Sequence, residues 1–212
     1  MGNITREQLR LYAVTDRAWL GQKTLYEQVE QALKGGSTLV QLREKQLSEA
    51  EVEKEAVELL ALCHRYEVPL LLDDRVALAA KIGADGVHIG QSDMELSRAR
   101  EILGEDKIIG VTAKTVEQAL AAQENGADYL GSGAVFGSTT KTDAIPMDHA
   151  LLEQICHSVT IPVVAIGGIT AENVLQLKGR GMAGVAVVSG IFACKDIEMG
   201  TRKLKQLVEQ II

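Results

Sequence analysis

The chain has 212 residues, of which 46% are hydrophobic and only 3% aromatic, and its 22 basic against 29 acidic side chains leave a formal net charge of −7. That balance speaks against a nucleic-acid binder, which needs a basic face for phosphates and aromatic platforms for unpaired bases. No apolar run reaches the roughly 18 residues of a membrane span, and the opening MGNITREQLRLY lacks the apolar centre of a signal peptide. A single domain over residues 1–212, located in the cytoplasm, is therefore expected, with small molecules as partners and a homo-oligomer allowed.

The first strand is read over 11–15, LYAVT, and a helix opens at Thr24 with Leu25, Val29 and Leu33 on one face and Gly35-Gly36 as its stop. A second strand over 39–42 runs into Arg43, Glu44 and Lys45, and Ser48 with Glu51 forms a capping box for a helix to about residue 65. The third strand, 70–72, ends in Asp73 and Asp74; a helix over 76–82 stops at Gly83, and a fourth strand over 87–89 delivers Gln91 and Asp93. Helix 94–103 and strand 108–111 follow, then Thr112, Ala113 and Lys114, and Thr115 starts the next helix. Gly126-Ala127-Asp128 repeats the Gly83-Ala84-Asp85 sequence, the mark of a recurring helix-stop, strand-start unit. Strand 129–132 enters a polar loop over 133–143, helix 148–158 precedes strand 163–166, and helix 171–178 precedes strand 185–188. A last helix covers 196–211.

Eight strands, each followed by a helix, at 212 residues or about 26 per unit, give an α/β chain whose parallel strands close into a (β/α)₈ TIM barrel with few insertions. An open doubly wound sheet would want a dinucleotide fingerprint in its first turn, and none is present. In a barrel the strand ends share one rim, so Asp73, Asp74 and Asp93 would face the ligand, and carboxylates from two loops suit Mg²⁺ shared with a diphosphate. The same aspartates also serve as helix caps, and spacing alone leaves both readings open. Gly167-Gly168 and Val188-Ser189-Gly190 offer free amides at the usual phosphate position of a barrel. The segment GSGAVFGSTTKT is one residue too long for a dinucleotide motif and lacks the glycine of a P-loop, which leaves Ser138, Thr139, Thr140 and Lys141 as a polar cover for a phosphorylated ligand. His88 reads as a satisfied structural histidine, and His64, His149 and His157 as surface residues; the scattered Cys63, Cys156 and Cys194 read as structural thiols.

Taken together, Gln41-Leu42-Arg43-Glu44-Lys45, the 74–93 span with His88-Ile89-Gly90-Gln91, Gly110-Val111-Thr112, the 133–141 loop, Ala165-Ile166-Gly167-Gly168-Ile169 and Val188-Ser189-Gly190-Ile191 resemble the thiamine phosphate synthase family. The resemblance spans nearly the whole chain. It implies a transferase that joins hydroxymethylpyrimidine diphosphate to hydroxyethylthiazole phosphate, with release of diphosphate, by a dissociative route. It further implies Mg²⁺ on Asp74 and Asp93, and Arg43, Thr112 and Lys141 as catalytic groups. Substrate contacts would come from Gln41, Leu42, Arg43, Glu44, Lys45, Asp73, Thr112, Ser138, Thr139, Thr140, Lys141, Gly168, Val188 and Ser189.

Some positions depart from the family's pattern. Asp73 stands where Asn is usual, which sets like charges side by side with Asp74; Thr112 replaces a serine, Ser138 a threonine and Lys114 a histidine, while Ala134 and Gly137 replace prolines and should loosen their loop. A metal-free thiazole tautomerase on the same barrel, or a non-catalytic binder of thiazole phosphate, are the competing readings.

Overall fold

The computed structural model describes residues 4–137 and 146–212. Eight strands, β1 (Leu11–Val14), β2 (Leu39–Leu42), β3 (Leu70–Asp73), β4 (Gly86–Ile89), β5 (Ile108–Thr112), β6 (Tyr129–Gly133), β7 (Val163–Ile166) and β8 (Gly184–Val187), pair in chain order into a closed, all-parallel barrel. The helices around it are α1 (Leu25–Lys34), α2 (Glu49–Arg65), α3 (Val76–Ile82), α4 (Leu96–Leu103), α5 (Val116–Glu124), α6 (His149–Ser158), α7 (Ser189–Phe192) and α8 (Ile197–Val208). Among the described residues no helix is long and apolar enough to cross a membrane.

Alternation along each strand separates two cores. Leu11, Val40, Leu70, Leu72, Val87, Ile109 and Val185 face the helices, whereas Tyr12, Val14, Leu39, Leu71, Tyr129, Val164 and Ala186 fill the barrel. Both strand faces are thus buried, which is why the strands read as unbroken aliphatic runs. The interior is narrow, and among its largest tenants are the fully buried rings of Tyr12 and Tyr129. A glycine makes room for Tyr129: a Cβ at Gly110 would stand 2.1 Å from that ring's Cζ.

The repeated Gly-Ala-Asp units do one job twice. Gly83 and Gly126 end their helices at positive φ. Two residues on, Asp85 Oδ2 accepts the Leu70 amide at 2.8 Å and Asp128 Oδ2 accepts the Ile109 amide at 2.8 Å. Each aspartate therefore ties the start of its own strand to the preceding one. The capping box at Ser48 with Glu51 is formed, and Thr24, which opens α1, forms a second one with Glu27.

Two connections differ from the sequence expectation. The helix read over 171–178 is only a 3₁₀ turn, Val174–Leu177, because Asn173 folds the chain back on itself: its Oδ1 accepts the Thr170 amide at 2.9 Å and its Nδ2 donates to the Gly168 carbonyl at 2.8 Å. After β8 the chain forms the four-residue α7 before α8, so Ser189 and Gly190 are the first turn of a helix and not a plain loop. The last helix ends at Val208, three residues short of the expected 211.

Replacing Gly110 with alanine should cost about 1–3 kcal/mol through overpacking against Tyr129. A thermal melt checks this, and an unchanged midpoint would mean that the ring has space the packing denies it.

Candidate active site

The parallel closure opens every strand-to-helix loop at one rim, and there a cavity of about 570 Å³ enters the barrel. That volume suits a small organic ligand. Of the residues expected at the site, Gln41, Arg43, Lys45, Asp73, Asp74, Asp93, Thr112, Gly168, Val188 and Ser189 line it. Ser138, Thr139, Thr140 and Lys141 lie outside the described residues.

Two expected contacts do not reach the cavity. Leu42 faces the helices in the outer core, where strand alternation must put the residue after the inward-facing Gln41. The Glu44 side chain, 2% exposed, turns away from the ligand and bolts its own loop: Oε1 accepts the Gln46 amide at 2.7 Å, and Oε2 is paired with Arg17. Arg17 in turn holds Glu55 at 2.6 Å. This internal clamp is what lets Arg43 and Lys45, on either side of Glu44, both point inward.

Charge at the rim is arranged in pairs. Arg43 Nη1 lies 3.2 Å from Asp16 Oδ2. The Lys45 ammonium stands between two carboxylates, 2.8 Å from Asp73 Oδ2 and also bonded to Asp74 Oδ2. The repulsion expected of adjacent Asp73 and Asp74 is thereby relieved by a shared cation. Burial favours loss of the Lys45 proton, but the two carboxylates outweigh it and raise its pKa. Asp74 has φ 53, the left-handed region, with its amide donating to the His88 carbonyl at 3.0 Å. A strained backbone of this kind, held by its surroundings, is common at ligand sites. Asp93 closes the loop after β4, its Oδ2 accepting the Gly90 amide at 2.7 Å.

Asp74 and Asp93 fit a hard divalent cation. They come from adjacent strands, line one cavity and offer only oxygen, and among the described residues no cluster of three or more His, Cys, Asp or Glu could hold a metal alone. Two carboxylates with the remaining positions left to water and ligand phosphate is the arrangement Mg²⁺ favours. Opposite them, Gly167, Gly168, Val188 and Ser189 line the wall, and no described side chain caps α7. Glycine is required at Gly168, where a Cβ would meet the Phe136 carbonyl at 2.5 Å, and behind this wall at Gly190, where one would meet the Ile169 carbonyl at 2.3 Å.

The sequence reading missed Tyr12, whose inward position in β1 follows only once the register is known. It placed His88 as a satisfied histidine, and both ring nitrogens are bonded, to the Tyr129 hydroxyl at 2.9 Å and to Thr112 Oγ1 at 3.0 Å; yet the ring also lines the cavity. His149, expected on the surface, packs edge-on against Phe136 and bonds the Val135 carbonyl at 3.1 Å. No cysteine lines the cavity. Burial pushes the Cys63 thiol up to about 12 and the Cys156 thiol up to about 11, which keeps both unreactive.

A sequence profile described as thiamine monophosphate synthase matches residues 11–191. The chain belongs to this family. It is 50% identical over 197 residues to a thiamine-phosphate synthase of Ruminiclostridium cellulolyticum, covering 93% of this chain and 94% of that one. It is 47% identical over 201 residues to one of Clostridium acetobutylicum, covering 95% of each. A solved thiamine phosphate pyrophosphorylase from Pyrococcus furiosus superposes with a TM-score of 0.90 at 39% identity over 98% of both chains. As a member of the thiamine monophosphate synthase family the protein is a transferase of thiamine biosynthesis.

Glu44 supplies a test of the clamp. Burial alone would raise its carboxyl pKa, but the Gln46 amide and the Arg17 guanidinium outweigh burial and hold it below the ordinary 4.5. A carboxylate depressed in the native state stabilises above the unfolded value and loses that contribution as pH falls through the native one. Glu44→Gln should therefore cost about 1–3 kcal/mol at neutral pH and remove part of the acid-side loss of stability expected below about pH 4.5. Melting series of both proteins from neutral to acid pH decide it: parallel curves would show that the Glu44 charge carries nothing.

Proposed function

We propose that this cavity breaks the C–O bond of hydroxymethylpyrimidine diphosphate and forms a C–N bond to hydroxyethylthiazole phosphate. The bonding pair leaves with diphosphate, and the thiazole nitrogen supplies the pair for the new bond. What supports the reading is that Asp74, Asp93, Arg43 and Lys45 line one cavity together with a wall of loop amides.

No side-chain nucleophile is needed, and the residues act by placing charge and orienting rings. Arg43 and Lys45 take the diphosphate oxygens, Lys45 exchanging part of its hold on Asp74 for the ligand. Thr112, at the end of β5, turns its hydroxyl from His88 to the leaving group, and Lys141, Ser138, Thr139 and Thr140 contact the phosphates. Gln41 meets the pyrimidine at the floor of the cavity. The amides of Gly168, Val188 and Ser189 take the thiazole phosphate, since loop N–H groups and a helix start favour an anion. Asp74 and Asp93 would hold Mg²⁺, which would supply charge neutralisation for the departing diphosphate.

The direct test is incubation of the protein with both substrates and Mg²⁺, with thiamine phosphate as the readout; no product would refute the reading. Asp93→Ala should lower turnover roughly 10²- to 10³-fold, the usual size for one preorganised electrostatic group. Turnover near the wild-type rate in that variant at saturating Mg²⁺ would remove Asp93 from the site.

A further inference from the structure

One unbroken run of hydrogen bonds crosses the barrel beneath the cavity. Gln41 Nε2 donates to Asp73 Oδ1 at 2.8 Å, and the Tyr12 hydroxyl donates to Gln41 Oε1 at 2.5 Å. The Tyr12 and Tyr129 oxygens are 3.0 Å apart, the Tyr129 oxygen is 2.9 Å from His88 Nδ1, and His88 Nε2 is 3.0 Å from Thr112 Oγ1.

Proton counting gives this run a direction. Asp73, ion-paired with Lys45 at 2.8 Å, is a carboxylate and can only accept, so Gln41 must turn its Nε2 toward it. Oε1 then faces Tyr12, which spends its one proton there. The Tyr12 oxygen accepts from the Tyr129 hydroxyl, and the Tyr129 oxygen accepts from His88, whose Nδ1 must carry a proton. Both tyrosines are fully buried and their pKa values are raised, chiefly by burial, so both keep the hydroxyl proton this order requires.

We infer that Asp73 is a positioning residue that fixes the Gln41 amide in one orientation and thereby sets which ring edge the cavity floor accepts. The inference rests on the reaction proposed above and names its selectivity. Gln41 lines the cavity with one lone pair of Oε1 and one hydrogen of Nε2 that bond nothing among the described residues. That pair matches an amine beside an unprotonated ring nitrogen, in the way a side-chain amide reads adenine. An oxo group beside a ring N–H needs the amide reversed, and reversal sets Oε1 against the Asp73 carboxylate with no proton between them. An asparagine at position 73 could turn together with Gln41, and the lock would be lost.

Two measurements test this. The ligand-free protein is labelled with ¹⁵N at histidine and its ring nitrogens are read at about pH 8, above the ordinary imidazole range. In the wild type Nδ1 should be the protonated nitrogen of His88. In Tyr12→Phe the Tyr129 hydroxyl loses its acceptor and turns to Nδ1, so the proton should move to Nε2; a wild-type Nε2–H tautomer, or no change in Tyr12→Phe, overturns the chain. The second measurement compares kcat/KM for aminopyrimidine and oxopyrimidine methyl diphosphates. Asp73→Asn should reduce the preference for the amine roughly 10- to 100-fold, the size of one buried polar group left without a partner, and an unchanged ratio overturns the lock. Absence of turnover with the wild type would defeat the reaction proposed above, while the histidine nitrogens would still decide the chain.

Discussion

A single ammonium sets the terms for this site. Lys45 Nζ sits between Asp73 and Asp74, and without it the tip of β3 would carry two adjacent carboxylates offset only by the more distant Arg43, 3.9 Å from Asp73 Oδ2, and the Gln41 amide. With it, an acidic protein of net charge −7 keeps a locally balanced rim where an anionic substrate can exchange places with the protein's own carboxylates. Because an isolated charge is costly to bury, such preassembled pairing keeps cations at the mouth of the barrel when no ligand is there. Arg43 is held in the same manner by Asp16.

Behind that rim lies a supporting layer that never touches the ligand cavity. Glu44 is bound to its own loop amides and to Arg17, and Arg75 donates to the Glu44 carbonyl at 3.1 Å, so the loops after β1, β2 and β3 are tied together. The residue flanked by the two cavity-lining cations is thus the one that fixes the loop. Beneath the cavity, the Tyr12–Tyr129 pair plays the corresponding part, bracing the floor from the centre of the barrel.

Much of this architecture was legible in the chain, for reasons that can be traced to particular residues. Buried parallel strands are short aliphatic runs, and β2 and β7 begin and end where LVQL and VVAI do. Helix starts followed from Thr24, Ser48, Thr115 and Asp148, whose side chains accept first-turn amides as capping requires. The 171–178 segment misled because its apolar spacing is helical while Asn173 bends the backbone into a turn, a tertiary choice that spacing does not record. At the site, motif resemblance treated Gln41 to Lys45 as one block, but alternation in β2 sends Leu42 to the opposite face and a local clamp claims Glu44. The polar run through Tyr12 and Tyr129 could not be read at all, since it joins residues 117 positions apart through strand register.

The account depends on Asp74 and Asp93 gripping one divalent ion together with diphosphate. Calorimetric titration of inorganic diphosphate into the protein, with and without Mg²⁺ and in the Asp74→Ala and Asp93→Ala variants, tests this most directly. Binding in the wild type should tighten by tenfold or more when Mg²⁺ is present, as expected of a metal shared between carboxylates and phosphate oxygens, and each variant should lose that gain. Diphosphate affinity indifferent to Mg²⁺, or a Mg²⁺ gain that survives removal of both carboxylates, would contradict it.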